Sequence, residues 1–441
     1  MFSKILIANR GEIAIRIIRS CKEMGISTVS VYSEADKDSM HVALADRSIC
    51  IGRASPSDSY LNAERIISAA LATGAQAIHP GYGFLSESAL LAELCEKHQV
   101  AFIGPSSGIM SKISDKEAAK RIMAAAGVAV IPGSSILGDL DSAMKAAKEI
   151  GYPLMIKARA GGGGRGIRLV SSSSEFENAF LTASHEAAEA FGDGALYIEK
   201  QIYPAKHIEV QLLADENGKI ICLEERECSI QKNNQKLLEE SPSPAVDAIM
   251  RERLFEAAKK AAEAVGYINA GTVEFLLDAD RNFYFMEMNV RLQVEHAVTE
   301  QVTGIDLVKW QIRIAAGVPL DFEQENVIAA GYSIECRINA SNVGTVEFLH
   351  VPGGPRVRFD SALWMGYTVP PYYDALLGKL IVHAATREEA IRKMKAALCE
   401  LVIDGVPNNI DEQIGFVSEE EFRRGEYYTD FVARISDNRK R

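Results

Sequence analysis

Apolar positions along the chain alternate between two spacings. Lys4 to Ala8 is a short apolar run, and behind it Ile13, Ile17, Cys21 and Met24 recur at helical intervals before Gly25 and a second run from Thr28 to Tyr32. That order predicts a βαβ unit. A second round follows: a helix over residues 61–73, a strand at 77–79, a helix over 88–97 and a strand over 100–103 that ends at Gly104-Pro105. The first hundred or so residues therefore predict a parallel sheet with flanking helices.

Residues 114–126 predict one helix, with Ser114 as N-cap, Glu117 completing a capping box and Gly127 closing it. After Pro132-Gly133 the pattern changes to a smaller helix-and-hairpin segment, read as a lid reaching about Ile202. Ser142 to Ile150 is helical in period, with apolar Met144, Ala147 and Ile150. From Pro204 onward strands dominate, at 207–213, 220–225, 272–277, 283–288, 332–338 and 379–383. Helices at 250–265, 305–316 and 387–401 interrupt them. The expected fold class is α/β followed by α+β, with domains at 1–113, 114–203 (helical linker 114–130, lid 131–203) and 204–441.

Composition narrows the function. With 441 residues, 47% hydrophobic and 24% charged, the chain has the make-up of a multi-domain globular protein rather than a disordered or repetitive one. A net charge of −12 repels nucleic acid and anionic lipid, so an anionic substrate needs a local cluster of cations. No run approaches the ~18 apolar residues of a membrane helix, and the N-terminal run is too short for a signal peptide. The seven cysteines, Cys21, Cys50, Cys95, Cys222, Cys228, Cys336 and Cys399, contain no C-x-x-C pair and read as reduced thiols. The expected location is the cytoplasm.

The first βα turn, Ala8-Asn9-Arg10-Gly11-Glu12, lacks G-x-G-x-x-G, which disfavours a nicotinamide dehydrogenase. Gly161-Gly162-Gly163-Gly164-Arg165-Gly166 has that spacing but joins two strands and opens no helix. It suits a flap whose bare N–H groups close over phosphates, with Lys157 on the incoming strand and Lys116 in a first helical turn as further cations. Residues 271–289 read as a β-hairpin. If Asp278 pairs with Phe283 across a four-residue loop, Glu274 lies directly opposite Glu287. Opposed carboxylates repel unless a cation separates them. Asn289 on the same face adds a neutral oxygen, and an oxygen-only set favours Mg²⁺ or Mn²⁺. Immediately beyond, Arg291-Leu292-Gln293-Val294-Glu295-His296 offers an oxyanion clamp and a base, although such a run taken alone is usually a polar strand. Residues 224–236 read as a solvated loop, and His207 as a core or edge histidine.

These pieces occur together in one family. Ile5-Leu6-Ile7-Ala8-Asn9-Arg10-Gly11-Glu12-Ile13-Ala14, His79-Pro80-Gly81-Tyr82-Gly83-Phe84-Leu85-Ser86-Glu87, the glycine loop, Met288 to His296, Ile334 to Ala340 and Gly366 to Asp374 closely resemble biotin carboxylases of the ATP-grasp superfamily. The resemblance implies an ATP-grasp fold with a Rossmann-like N-terminal domain, a lid and a mixed C-terminal domain. It also implies a ligase reaction: ATP and bicarbonate form carboxyphosphate, whose CO₂ is placed on N1 of carrier-linked biotin. Position by position, Lys116 and Lys157 would hold phosphates, Gly162, Gly163, Gly164, Arg165 and Gly166 would close over them, and Glu199, Lys200 and Ile202 would meet adenine. His207 and Gln231 would lie at the ribose end. Glu274, Glu287 and Asn289 would carry Mg²⁺. Lys236, Arg291, Gln293 and the Val294 backbone would bind bicarbonate, Glu295 would deprotonate it, and Arg337 would stabilise the biotin enolate.

Some positions depart from that pattern. Lys232-Asn233-Asn234 stands where the family usually has Arg-Arg-His, so Asn234 replaces a histidine that normally reaches ATP. Val290 and Ala297 replace Thr and Pro, and the segment between Asn339 and Pro352 is short. The resemblance further implies a homodimer, with carrier protein and carboxyltransferase on separate chains, most simply as the biotin carboxylase subunit of acetyl-CoA carboxylase in fatty-acid synthesis. The alternatives are another acyl-CoA carboxylase complex, a different ATP-grasp carboxylate ligase, and a catalytically weakened nucleotide-binding subunit.

Overall fold

The computed structural model describes residues 1–159 and 166–439. Gly162, Gly163, Gly164 and Arg165 of the expected flap lie outside the described residues. The N-terminal strands form a five-stranded parallel sheet in the order Arg47–Gly52, Ser27–Ser33, Lys4–Ile7, Ala77–His79, Ala101–Phe102. Ile5, Ile7, Ile13, Ile17 and Cys21 share a core on one face, while Leu6, Val29, Ile66 and Ile78 pack on the other. The predicted βαβ order is present, with Arg47–Gly52 as an edge strand that the apolar pattern did not mark.

The lid is a three-stranded antiparallel sheet, Ile167–Val170, Leu154–Ala158 and Leu196–Lys200, with helices Leu140–Ile150 and Ser173–Phe191 over one face. An antiparallel sheet of eight strands forms the body. Its order is Phe283–Asn289, Asn269–Asp278, Ala205–Ala214, Ile220–Lys232, Gln235–Ser241, Tyr332–Asn339, Leu376–Ala384 and Val357–Ser361. Among the described residues no helix is long and apolar enough to cross a membrane.

Three expectations need correction. Residues 114–126 do not form one helix: Ser107–Ser114 and Lys116–Ala125 are separate, and Asp115 caps the second by accepting from the Glu117 and Ala118 N–H groups. Ser114 instead ends the first helix and back-bonds to the Ser111 carbonyl. Residues 224–236 are not a solvated loop. Ile220–Lys232 is one strand, buried from Ile221 through Ile230, because its charged side chains find partners: Arg226 and Glu227 on the adjoining Ala205–Ala214 strand, Glu224 and Glu225 at Arg251 of helix Ala248–Val265. The Arg291 to His296 run, read as a clamp and a base, is not the polar strand that such a run usually forms: the segment leaves the sheet after Asn289, and helix His296–Thr303 begins at its end; the third correction lies in the hairpin.

The hairpin register is right at the point that matters and wrong at the turn. Glu274 pairs with Glu287, Val273 with Met288 and Thr272 with Asn289, yet Leu277, not Asp278, pairs with Phe283. The turn closes one residue tighter than expected, and a bulge that inserts Met286 restores the count before Glu287.

Candidate active site

Lys236 is the second residue of the Gln235–Ser241 strand and points to where three other segments converge. Its ammonium lies 2.5 Å from Glu209 Oε2, 2.6 Å from Glu295 Oε1 and 2.9 Å from Glu274 Oε1, and donates to Gln293 Oε1 at 3.0 Å. Burial disfavours the ammonium, but the three carboxylates outweigh it and hold its pKa well above the usual lysine value. Glu209 passes its other oxygen to Arg226 at 2.5 Å. That wholly buried guanidinium also donates to Gln211, Thr272 and Thr299 at 2.9–3.1 Å.

Glu295 sits between two cations. Oε1 faces Lys236, while Oε2 accepts from Arg337 Nη2 at 2.9 Å, and Arg337 Nε donates to Glu239 Oε1 at 2.7 Å. Burial alone would raise the Glu295 carboxyl; Lys236, Arg337 and Arg226 override it and keep it below the ordinary range. The group is an ionised carboxylate at neutral pH.

Around Glu274 the neighbours are His207, whose Nε2 is 3.1 Å from Oε2, and the amides of Asn289 and Gln293, each donating to Oε1 at 2.8 Å. The Gln231 amide nitrogen donates to the Cys228 carbonyl at 2.8 Å and lies 3.0 Å from His207 Nδ1; burial disfavours the charged imidazole, but the Glu274 and Glu209 carboxylates outweigh it and raise its pKa to about 9. Arg291 follows the hairpin. It donates to Asn289 Oδ1 at 3.0 Å, and its Nε stands 3.2 Å from Glu87 Oε2 without hydrogen-bond alignment.

Glu287 opens onto a cleft of about 200 Å³ lined also by Glu87, Ser114, Lys116 and Asn289. Lys116 heads its helix and reaches Glu287 Oε2 at 3.4 Å. On the lid, Lys157 lies 2.5 Å from Glu199 Oε2, and Lys120 holds the other oxygen of the same carboxylate. Lys200 turns away from the cleft, donating to the Gly151 and Tyr152 carbonyls, and Ile202 lies just beyond the lid strand. Asn233 and Asn234 form the two-residue turn between Lys232 and Gln235, both with left-handed backbone, φ 53° and 62°. Asparagine suits that turn, and Asn234 is exposed at its tip.

Among the described residues the tightest acidic clusters are His207–Glu209–Glu274 and Glu209–Cys228–Glu295, and neither contains Glu287. Lys236 and Arg226 already neutralise both. The set Glu274, Glu287 and Asn289 fits a divalent ion by a different criterion: three oxygen donors on paired strands, with each carboxylate presently drawing an ammonium, Lys236 or Lys116.

The sequence did not single out Glu209, Arg226, Glu239 or Lys120. A signal existed for the first: His207, Glu209 and Gln211 alternate on one strand face. Lys120 follows Lys116 by one helical turn.

A parallel-sheet base, a sheet lid carrying Lys157 and facing glutamates on an antiparallel sheet together define an ATP-grasp enzyme. Family models divide the chain the same way: biotin carboxylase, N-terminal domain, at residues 1–110; carbamoyl-phosphate synthase L chain, ATP binding domain, at 115–323; biotin carboxylase C-terminal domain at 335–434. Biotin carboxylase 1 of Bacillus subtilis is 52% identical, over 98% of each chain. A biotin carboxylase from Campylobacter jejuni, solved as a β,γ-ATP complex, is 49% identical with a TM-score of 0.95, over 98% of this chain and 99% of that one. The biotin carboxylase domain dimer of Hydrogenobacter thermophilus 2-oxoglutarate carboxylase, solved with MgADP, ADP and bicarbonate, is 48% identical with a TM-score of 0.94, over 99% and 98%. The chain belongs to the biotin carboxylase family of ATP-grasp ligases.

Proposed function

We propose that this chain carboxylates N1 of carrier-linked biotin, consuming ATP and bicarbonate by way of carboxyphosphate. The observation that carries the reading is the Lys236 ammonium shared by Glu209, Glu274 and Glu295, with Arg337 on the second Glu295 oxygen. Residues 1–113 would form the base, 114–203 the lid, and 204–441 the catalytic and C-terminal body.

Bicarbonate would displace carboxylate contacts on Lys236 and Arg291 and be oriented by Gln293 and the Val294 N–H. Glu295, ionised and held from both sides, would take its proton so that an oxygen can attack the γ-phosphate. Lys116 and Lys157 would exchange Glu287 and Glu199 for phosphate oxygens, and the glycine loop from Gly162 to Gly166 would exclude water. Glu199, Lys200 and Ile202 would border adenine, and His207, Gln231 and Asn234 the ribose end. A Mg²⁺ ion on Glu274, Glu287 and Asn289 would neutralise phosphate charge. Arg337 would stabilise the negative oxygen that develops on the biotin ureido group.

We place the enzyme in acetyl-CoA carboxylase, as a cytoplasmic homodimer with carrier and transferase on separate chains. The likeness to a 2-oxoglutarate carboxylase domain favours a second reading in which another carboxylase complex is served. The test is ATP cleavage with Mg²⁺ and bicarbonate, with and without free biotin. Stimulation by biotin and formation of carboxybiotin are expected, and their absence overturns the reading. Supplying carrier, transferase and a panel of acyl acceptors distinguishes the complexes.

A further inference from the structure

Lys379, on the Leu376–Ala384 strand, is wholly buried, and the reaction outlined above makes no use of it. Its ammonium donates to the Val294 carbonyl at 2.6 Å and lies 3.6 Å from Glu12 Oε1. Across the sheet its direct partners are Arg337 on one side and Asp360 on the other. Directly paired residues of an antiparallel ladder project from one face, so two adjacent cations reach the same segment. Arg337 holds the carboxylate of Glu295, and Lys379 holds the main chain one residue earlier.

That main chain needs holding. Residues 290–295 belong to neither strand nor helix, so no ladder of backbone hydrogen bonds fixes them. The Val294 carbonyl lies between the Val294 N–H and the Glu295 side chain, and fixing it sets the angle between the two. A buried ammonium is a costly way to bind one carbonyl, since an apolar residue fills a sheet position without desolvating charge. The cost is shared by an arm from the N-terminal domain: Glu12, in the first turn of helix Gly11–Glu23, accepts from the Tyr82 hydroxyl and offers its carboxyl to Lys379.

We propose that Lys379 is a positioning residue of the carboxylation reaction: it fixes the Val294 peptide so that the Val294 N–H and the Glu295 carboxylate address one bicarbonate ion, with Glu12 and Tyr82 fixing its reach. The proposal rests on the bicarbonate site described above, deepening it. The test uses the full chain with ATP, Mg²⁺, bicarbonate and free biotin, comparing wild type with Lys379→Met and Glu12→Gln. A misplacement of this kind costs about 100-fold, so kcat/KM for bicarbonate is expected to fall by that factor in Lys379→Met. In Glu12→Gln, where the ammonium remains but loses its anchor, the expected loss is about tenfold. ADP affinity, read by titration calorimetry, and KM for ATP are expected to stay within about twofold in both, since nucleotide contacts lie elsewhere. If Lys379→Met does not fold, Glu12→Gln carries the test. Losses shared equally between bicarbonate and nucleotide, or no loss, overturn the proposal. A wild type without bicarbonate-dependent turnover instead removes the reading beneath it.

Discussion

Glu295 combines two properties that usually conflict, full burial and ionisation, and the reason is local. Each of its oxygens has a cation within 2.9 Å, and the cations come from different strands, so neither can satisfy the other's partner. A base held in this way is charged before substrate arrives and needs no reorganisation to accept a proton. Glu295→Gln keeps the shape and the hydrogen-bonding length of the side chain but removes the basic oxygen. Its expected effect is a loss of about 10³-fold in bicarbonate-dependent ATP cleavage, with ADP affinity by calorimetry unchanged. Retained turnover would mean that another group takes the proton. At this scale the sequence was informative where residues lie close together in the chain, as with Arg291, Gln293 and Glu295. It was silent where the partner comes from a distant strand: Arg226 and Glu239 carry no local motif, Glu209 shows only its alternation with His207 and Gln211, and their importance arises from the pairing of strands that brings them to Lys236 and Arg337.

Elements fail to be legible for reasons that can be named. The facing of Glu274 and Glu287 was predicted from a turn one residue too long, and Met286, bulged out of its strand, compensates. The bulge leaves little trace in the hydrophobic pattern, because the core positions shift from Phe283 and Phe285 to Met288 and Val290 within a run that is apolar at nearly every position. The 220–232 strand was misread past Glu225 because polarity suggested solvent, whereas its charges are internally paired. The helix holding Lys116 was misread at its cap, and that error leads to a measurement. Asp115 Oδ1 accepts from two orphan N–H groups at 3.0 Å each, while Ser114 Oγ bonds backward to Ser111. Asp115→Ala is therefore expected to cost about 1 kcal/mol of stability in urea unfolding and to raise KM for ATP, because the first turn that presents Lys116 frays. Ser114→Ala is expected to leave both within error. Equal effects would restore the capping box.

The whole molecule is acidic, and its local exceptions are all internally paired: Lys116 with Glu287, Lys157 with Glu199, Lys236 with three glutamates, Arg291 beside Glu87, and Arg337 with Glu239 and Glu295. When an anion enters the site, each cation exchanges a protein carboxylate for it rather than presenting bare charge, which favours exchange over trapping. The same dense burial makes the fold sensitive to acid at a second place, through groups that must stay uncharged. Burial lowers the imidazoles of His41, His79 and His296 to about 4, about 3 and about 3. An unfolded chain protonates them near pH 6.5, so the stability they permit is complete above that pH and drains away as pH falls towards the folded values. His41, which faces Asp36 and Arg10, is the simplest of the three to replace, because among the described residues neither ring nitrogen makes a hydrogen bond of good geometry and an apolar side chain there strands no polar group. Relative to wild type, His41→Leu is expected to gain about 2 kcal/mol on going from about pH 7 to about pH 5, since only the wild type then takes up a proton on unfolding. Urea unfolding of both proteins at the two pH values measures it, and a difference that does not change with pH would assign the acid sensitivity to His79, His296 or the carboxylates instead.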